Sequence, residues 1–305
     1  MTTAPIDAEL AQRNHAVDVI ASIGENFPDR TSNQILCSRD SEVIAAKSAM
    51  MDLIPADFPG ITRLFMPFAP QMPADGTGRF SAYTSRLRGG ATVAEHSLVG
   101  SDYALKVVIS GSIVFRGRTL TAGDWLWIPG GASYSYTAES LGAMVFTILP
   151  CVGETAETSR YTAEFDRIDE IDRLIRQQAA GEFITSRDPF LLETATTLRD
   201  LRLIVEEADG VDHHVLPFAP HMPTEPSTDG RFFAWLSMLE PGAVVPRHTH
   251  PLEKIADFKV VVNGSIHCKG HELIPGDWLW APTGGSYEFS AGPAGALLVA
   301  GWPWN

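Results

Sequence analysis

Short runs of β-branched and aromatic residues, cut by glycine, proline and aspartate, recur through most of the chain. Three of them are residues 232–239, 257–263 and 297–300, in which Phe, Val, Trp and Leu dominate. Residues of this kind favour strands, and the Gly-Asp and Pro-x-Gly sequences between the runs favour tight turns. We therefore expect an all-β protein built from many short strands.

Two stretches depart from this pattern, residues 8–23 and 163–179. In the second, apolar side chains recur at three- and four-residue spacing: Phe165, Ile168, Ile171, Leu174 and Ile175. That spacing places them in one stripe along a helix. We expect a short helical segment ahead of each group of strands. Residues 40–53 and 189–204 are compatible with either a helix or a loop.

The chain is one unit written twice. Residue 66 matches residue 216 and residue 123 matches residue 276, so the offset drifts only from 150 to 153. The segments matched at these offsets are 66–73 with 216–223, 78–80 with 230–232, 89–96 with 241–248, 106–113 with 259–266 and 123–131 with 276–284. A fainter match joins 36–40 with 184–188, at an offset of 148. Such self-similarity indicates a duplicated structural unit. We expect a helical or extended segment at 1–55, a helical segment at 153–205, and barrels at 56–152 and 206–305.

The most distinctive motif is His248-Thr-His250, which begins six residues after Gly242. Two histidines at i and i+2 on a strand point to the same face, where they could share a metal ion. A β-rich run, Gly276-Asp277 and Pro282-Thr-Gly284 follow in that order. This order resembles the two signature motifs of the cupins, which are small jelly-roll barrels. The resemblance covers about 63–149 and 213–302 and implies two tandem cupin jelly rolls.

Cupins typically ligate a divalent metal with the two histidines of the first motif, a Glu, and a final His. By this resemblance the first repeat keeps only His96. The other ligand positions hold Leu98, Ala104 and Tyr134, so we expect this barrel to be structural.

The second repeat keeps His248 and His250, whereas Tyr287 replaces the final His. Asp257 occupies the position expected for the acid, and Glu253 is the rival third ligand. We expect one metal site, in the second repeat only. Two histidines and one carboxylate suit Fe(II), and Zn or Mn would fit equally well.

Strand parity leaves the choice between the two acids open. If Asp257 faces the interior, Lys259 does too, and Phe258, Val260 and Val262 face outward. On burial alone the Phe/Val/Val face looks more like the interior.

Further polar side chains could complete such a site. His221 and His267 are candidate replacements for the missing histidine ligand. His221, Lys259 and Tyr287 are candidates for orienting the substrate. Tyr occurs at the equivalent position of both repeats, Tyr134 and Tyr287, which also favours a packing role for it.

The surrounding sequence resembles the ChrR-like, anti-sigma-factor-type cupins and the cupin dioxygenases that cleave acetylacetone or dihydroxyacetophenone. That resemblance implies a metal-dependent oxygenase, of the non-haem Fe(II) type, acting on a small carbonyl-containing or aromatic ketone substrate. The alternatives are a non-enzymatic regulatory or binding protein with structural Zn, and a metal-free barrel that binds a small molecule. Residues 1–55 contain only His15 and Cys37 as candidate zinc ligands, which disfavours the direct sigma-factor binding of the anti-sigma members.

The composition of the chain limits the classes of molecule that it is expected to bind. The net charge of −14 disfavours binding to nucleic acid or to an anionic membrane. The chain has no apolar run of the ~18 residues that a membrane span needs. Three widely spaced cysteines disfavour a disulfide framework and fit a reducing cytoplasm. Cys268, beside His267, could be a soft metal ligand, but we favour its interpretation as a small buried hydrophobic residue. We expect a cytoplasmic protein with a small-molecule substrate, and we allow for a homodimer.

Overall fold

The computed structural model describes the strand-rich parts of the chain, namely residues 35–41, 43–44, 59–65, 80–97, 104–129, 132–150, 183–188, 208–216, 233–249, 257–282 and 284–302. The predicted helices at 8–23 and 163–179 lie outside these residues. Helical backbone occurs within them only at Ser41, Val43 and Ile44. No helix in the described ranges has the length and apolar character needed to cross a membrane.

The described residues form antiparallel strands, as the hydrophobic runs predict. Those of the first repeat are β1 Leu36–Cys37, β2 Ile61–Phe65, β3 Phe80–Leu87, β4 Thr92–Ser97, β5 Ala104–Phe115, β6 Arg118–Thr121, β7 Trp125–Ile128 and β8 Ser133–Pro150. Those of the second are β9 Ile184–Thr185, β10 Val211–Val215, β11 Phe233–Leu239, β12 Val244–Thr249, β13 Asp257–Cys268, β14 His271–Leu273, β15 Trp278–Ala281 and β16 Ser286–Trp302. The nearly all-β composition is consistent with the expected jelly-roll class.

The strands form two sheets with the same topology. The first sheet runs β2-β3-β8-β5-β7-β9, with β4 on β8 and β6 on β5. The second sheet runs β10-β11-β16-β13-β15-β1, with β12 on β16 and β14 on β13. The long central strands bend at glycines: Gly264 in β13 has φ +69°, and a Cβ there would lie 2.0 Å from the carbonyl oxygen of Gly295. Only glycine fits this close approach of two strands.

The leading strand of each repeat lies on the sheet of the other repeat. β1 pairs with β15 through Leu36 and Trp280, and β9 pairs with β7 through Ile184 and Trp127. The two sheets therefore exchange one short strand each, an arrangement that the order of the sequence segments does not reveal.

Each exchanged strand is fastened by the aspartate of the Gly-Asp turn next to it. Asp277 accepts hydrogen bonds from Ser38 Oγ and Arg39 Nε, both at 2.8 Å. In the first sheet, Asp124 accepts the equivalent bonds from Ser186 and Arg187, at 2.8 and 2.9 Å. The Ser-Arg sequence that follows each leading strand therefore attaches that strand to the sheet of the other repeat.

Buried apolar side chains form three clusters. One lies within each sheet, and the third, which we call the shared core, combines residues of both sheets. In the shared core the rings of Phe146 and Phe258 lie 5.8 Å apart, centroid to centroid. The two sheets therefore pack against each other through their outer faces, and each keeps a separate apolar cluster on its inner face.

Candidate functional site

Strand β13 has both of its faces buried. Phe258, Val260 and Val262 belong to the shared core. Asp257 and Lys259 point to the opposite, inner side of the second sheet and are only 1% and 4% exposed. The Phe/Val/Val face is buried, as expected, but against the neighbouring sheet and not inside its own. The sequence could not separate these two ways of burying one face.

Asp257, Lys259 and Tyr287 form a buried hydrogen-bonded group. The Nζ atom of Lys259 lies 2.7 Å from Oδ2 of Asp257. The hydroxyl of Tyr287, on β16, donates to the same oxygen at 2.5 Å. An acid and a base buried together keep each other charged, because either one alone would lose its hydration without compensation. Tyr287 is thus part of a polar group and not only a packing residue.

His248 joins this group through Tyr287. The two residues are register partners across β12 and β16, and their rings lie 4.4 Å apart, centroid to centroid. The register between β12 and β16 shifts between Val245 and His248, and such irregularities redirect side chains. His248, Tyr287, Asp257 and Lys259 therefore form a continuous chain of contacts on the inner side of the second sheet.

The ring of His248 is fixed by the main chain. Its Nδ1 lies 2.9 Å from the carbonyl oxygen of Pro246. A carbonyl only accepts hydrogen bonds, so Nδ1 carries a proton and donates it. The other nitrogen, Nε2, is buried. A metal-bound histidine commonly donates its second ring nitrogen to a backbone carbonyl in this way. His96 in the first repeat is held identically by Ala94, at 2.9 Å, so the contact is also a feature of the duplicated strand.

Aromatic rings surround the buried lysine of the second sheet. The Nζ atom of Lys259 lies 5.4 Å from the ring centroid of Trp235, 5.5 Å from that of Tyr287 and 5.8 Å from that of Phe289. The electron-rich faces of such rings attract a cation. Trp235 and Phe289 were not singled out from the sequence. Their inward positions on strands opposite Lys259 are the signal that could have identified them.

The first sheet contains a matching lysine, Lys106, which is 2% exposed. Its Nζ lies 5.7, 5.5 and 5.7 Å from the ring centroids of Tyr83, Tyr134 and Tyr136, and it donates to Thr147 Oγ1 at 3.2 Å. Ala104 stands where the second repeat has Asp257. The two repeats thus share a caged lysine, and the second adds the carboxylate.

Several pKa values in the first sheet are shifted around Lys106, which lacks the counterpart of Asp257. Burial lowers the pKa of Lys106, and the nearby Arg63 lowers it further, although Tyr83 raises it. Burial also lowers the pKa of His96 to about 4, with Lys106 and Arg63 adding to the shift. Burial opposes the ionisation of Tyr83, but the two cations outweigh it and lower the pKa of that phenol. The described part of the first sheet therefore favours negative charge near Lys106.

The remaining predicted residues are distributed as follows. His221, His250 and Glu253 lie outside the described residues. His267, near the end of β13, is exposed and lies opposite Glu272 on β14. The structure thus brings together His248, Asp257, Lys259 and Tyr287, and places His267 on an outward-facing position of the β13–β14 hairpin.

A second cluster of donor atoms was not predicted from the sequence. Among the described residues, the structure brings three potential metal-binding side chains to within 4.8 Å of one another only at Cys37, Asp40 and His271. The sequence feature that could have pointed to it is the faint match of 36–40 with 184–188, in which Cys37 aligns with Thr185. The exchange of β1 between the sheets is what brings these residues to His271.

The donor chemistry around His248 suits a divalent metal only in part. A neutral imidazole whose Nδ1 proton is held by Pro246 can offer Nε2 as a ligand. Asp257, however, already shares one oxygen between Lys259 and Tyr287. A cation bound by Asp257 would have to compete with the ammonium group of Lys259 for that carboxylate.

No protein-family model and no curated protein sequence matches the chain. Solved structures are similar to it at low identity. Protein Ylba from E. coli shares 14% identity over 82% of this chain and 85% of its own, with a TM-score of 0.48. A variant of oxalate decarboxylase from Bacillus subtilis shares 15% over 80% and 73%, with a TM-score of 0.44. Salicylate 1,2-dioxygenase from Pseudaminobacter salicylatoxidans shares 16% over 74% and 71%, with a TM-score of 0.47. These similarities transfer neither a ligand nor an activity to this chain.

Proposed function

We propose that the protein is a metal-dependent oxygenase of the cupin type, with its site on the inner side of the second sheet. The observation that carries this proposal is the contact chain His248–Tyr287–Asp257–Lys259. It combines a candidate metal ligand with two hydrogen-bond donors in one buried place. The substrate class that we propose is a small carbonyl-containing compound or an aromatic ketone.

His248 and His250 would hold the metal, together with either Asp257 or Glu253. The ion pair with Lys259 weighs against Asp257, because that carboxylate is already neutralised. Fe(II) is the proposed metal, with Zn or Mn as alternatives. When bound, such an ion polarises oxygen atoms of a substrate and, in the case of Fe(II), supports chemistry with O2.

The side chains of the protein would position the substrate. The ammonium group of Lys259 has N–H donors beyond the one that Asp257 accepts, and it can donate to a substrate oxygen that carries negative charge. The single hydroxyl proton of Tyr287 already goes to Asp257, so Tyr287 would position Asp257 and Lys259. Trp235 and Phe289 would hold a planar substrate and exclude water from it. His221 is retained as a proposed orienting residue.

Iron loading and oxygen consumption test this proposal together. Protein purified without chelator and reconstituted with Fe(II) should consume O2 with at least one compound from a panel of β-dicarbonyls and hydroxyaryl ketones. His248→Ala should lose both the iron and the oxygen uptake, whereas the matched variant His96→Ala should keep both. Protein that binds no iron, or a His248→Ala variant with undiminished oxygen uptake, would contradict the proposal.

Iron affinity also separates the two candidate acids. If Glu253 is the third ligand, Glu253→Gln should lower iron affinity while Asp257→Asn leaves it nearly unchanged. The reverse pattern would assign the role to Asp257.

A second candidate function is the binding of a small organic anion without chemistry. The observation that favours it is the caged lysine present in both repeats, which depends on no metal ligand. Calorimetric titration of metal-free protein with small carboxylates and enolisable diketones tests this function. Binding that survives His248→Ala but is lost in Lys259→Met or Lys106→Met would support a binding protein over an oxygenase.

A further inference from the structure

Three potential metal ligands converge where β1 of the first repeat lies on the second sheet. The Sγ atom of Cys37 lies 3.2 Å from Oδ1 of Asp40, and Nε2 of His271 lies 3.5 Å from the same oxygen. Ligand atoms bonded at roughly 2.0 to 2.3 Å to a tetrahedral zinc ion lie roughly 3.3 to 3.8 Å apart. The observed spacings are therefore close to those of a zinc coordination shell.

A fourth potential donor, the thiol of Cys268, lies nearby, although it is not one of the three side chains whose donor atoms lie within 4.8 Å of one another. A change of its side-chain rotamer would have to bring it to the ion. Cys268 and His271 are register partners across the tight turn between β13 and β14. Directly paired residues place their side chains on one face of the hairpin, with Cβ atoms about 4.5 to 5.5 Å apart. Cys268 is buried in the same apolar cluster as Cys37. Two thiols, an imidazole and a carboxylate are thus collected from three strand ends.

At the equivalent place in the first sheet, an ion pair occupies the position of these potential metal ligands. There Asp188, the counterpart of Asp40, forms an ion pair with Arg118. Arg118 also contacts Thr185 Oγ1 at 3.5 Å. Arg118 is the counterpart of His271, and Thr185 that of Cys37. A fixed cation therefore joins the exchanged strand to the first sheet at this position. In the second sheet Lys269 binds Asp40 instead, and His271 occupies the position of Arg118.

Three of the changes between the two places introduce metal-binding groups. Thr185 and Phe115 correspond to Cys37 and Cys268, and Arg118 corresponds to His271, while the aspartate is kept. Two thiolates with an imidazole are ligands that select zinc among the common divalent ions. A single cysteine at such a place would indicate little, but three coordinated differences around one retained aspartate indicate a site.

The surroundings suit an ion held by two thiolates. Oδ2 of Asp40 accepts from Lys269 Nζ at 2.7 Å and from the Cys37 amide at 2.8 Å, so Oδ1 is the oxygen directed to Cys37 and His271. With a divalent ion, two thiolates, Asp40 and the ammonium of Lys269, the charges of the site cancel. Burial raises the pKa of Cys37 to about 11 and that of Cys268 to about 12, so both thiols keep their protons unless a metal displaces them.

We propose that Cys37, Asp40, Cys268 and His271 bind a zinc ion that fastens β1 to the second sheet. Binding forms four metal–ligand bonds and releases one proton from each thiol to solvent. The ion takes the place that Arg118 occupies in the first sheet and is separate from the site around His248. This site is independent of the oxygenase proposal.

Cobalt replacement tests the proposal on the full-length protein. Thiolate-bound Co(II) gives a charge-transfer absorption in the near ultraviolet, which ligation by histidine and carboxylate alone does not give. Wild-type protein loaded with Co(II) should therefore show this absorption. It should persist in His248→Ala, which separates the zinc site from the proposed oxygenase site.

Single substitutions at the three cysteines identify the ligands. Cys37→Ser and Cys268→Ser should each weaken the cobalt absorption, because each removes one of the two thiolate ligands, whereas Cys151→Ser, which also removes one thiol, should leave it unchanged. Asp40→Asn should weaken binding of Zn at least tenfold in a competition with a chromophoric chelator. Circular dichroism checks that each variant is folded.

X-ray absorption at the zinc edge gives a second test that needs no variant. The wild-type protein should show two sulfur ligands at about 2.3 Å, with the remaining ligands nitrogen or oxygen. The proposal is overturned by zinc without sulfur ligands or by a cobalt absorption of undiminished intensity in Cys37→Ser or Cys268→Ser. A Cys37–Cys268 disulfide in protein purified under reducing conditions would also overturn it.

Discussion

At the residue scale, the partner of the buried lysine distinguishes the two repeats: the second has Asp257 where the first has Ala104. Both repeats bury a lysine among aromatic rings, but within the described ranges only the second supplies a buried carboxylate as its partner. A buried ion pair contributes little net stability, yet removing one partner leaves an uncompensated charge. The two lysines should therefore respond differently to the same substitution.

We predict that Lys259→Met lowers the free energy of unfolding by about 3 to 5 kcal/mol, because Asp257 stays buried without its partner. Lys106→Met should cost about 1 kcal/mol or less, because it removes hydrogen bonds but leaves no described carboxylate unpaired. Urea unfolding followed by tryptophan fluorescence measures both. Equal losses for the two variants would show that the ion pair does not distinguish the sheets.

His96 gives a pH dependence that can be tested separately. Its pKa in the folded protein is about 4, below the ordinary value of about 6.5. Between these values the unfolded chain binds a proton that the folded chain does not, so stability falls as the pH falls from about 6.5 to 4. The slope should reach about 1.4 kcal/mol per pH unit.

The comparison of wild-type protein with His96→Gln isolates this contribution. Unfolding measured at several pH values should show that the substitution removes part of the acid destabilisation. An identical slope in both proteins would mean that His96 keeps an ordinary pKa in the folded state.

At the scale of elements, the exchange of β1 and β9 is the feature that joins the two repeats. Each exchanged strand has only two residues, which offer few backbone hydrogen bonds. The serine and arginine that follow each strand, and the aspartate that binds them, must therefore supply much of the attachment. This explains why the Ser-Arg-Asp segment and the Gly-Asp turn occur in both repeats.

We expect Asp277→Asn to loosen β1, because it removes the charge that binds Arg39. Hydrogen exchange of residues 35–40 should become faster, and that of residues 184–188 should stay unchanged. Asp124→Asn is the matched control, and it should produce the opposite pattern, since Asp124 binds Arg187. Faster exchange at both places in either variant would indicate that the two strands open together.

At the scale of the whole molecule, the shared core makes the two sheets depend on each other. Its largest side chains include Trp127, Phe146, Phe258, Trp278 and Trp280. Separation would bring this apolar face into contact with water, and large exposed apolar patches promote aggregation. The first repeat is thus proposed to serve stability, whatever its own binding properties are.

Removal of residues 1–152 should therefore yield an aggregating or poorly folded second repeat. The deletion takes away both the partner face of the shared core and the strand β1. Size-exclusion chromatography and the binding of a hydrophobic dye measure the outcome. A soluble, monomeric fragment with the thermal midpoint of the whole protein would contradict this account, and full-length protein provides the control.

The sequence by itself determined the features that depend on local spacing. Turn residues and alternating apolar runs predicted the strands, because glycine, proline and β-branched residues restrict the backbone wherever they occur. The internal match of the two repeats predicted sheets of equal topology. The resemblance of the chain's motifs to those of the cupins made His248, Asp257, Lys259 and Tyr287 candidates for one site, whereas strand parity left the inward position of Asp257 open.

Only the tertiary structure decided which sheet each leading strand joins and what each face of β13 meets. Leu36 and Ile184 occupy equivalent positions in the two repeats, and the sequence around them does not indicate that each pairs with the sheet of the other repeat. Phe258 and Asp257 are both buried, one against the other sheet and one within its own, and hydrophobicity cannot distinguish these environments. The meeting of Cys37 with His271 follows from the strand exchange, because contacts between residues more than 200 positions apart depend on how the sheets pack.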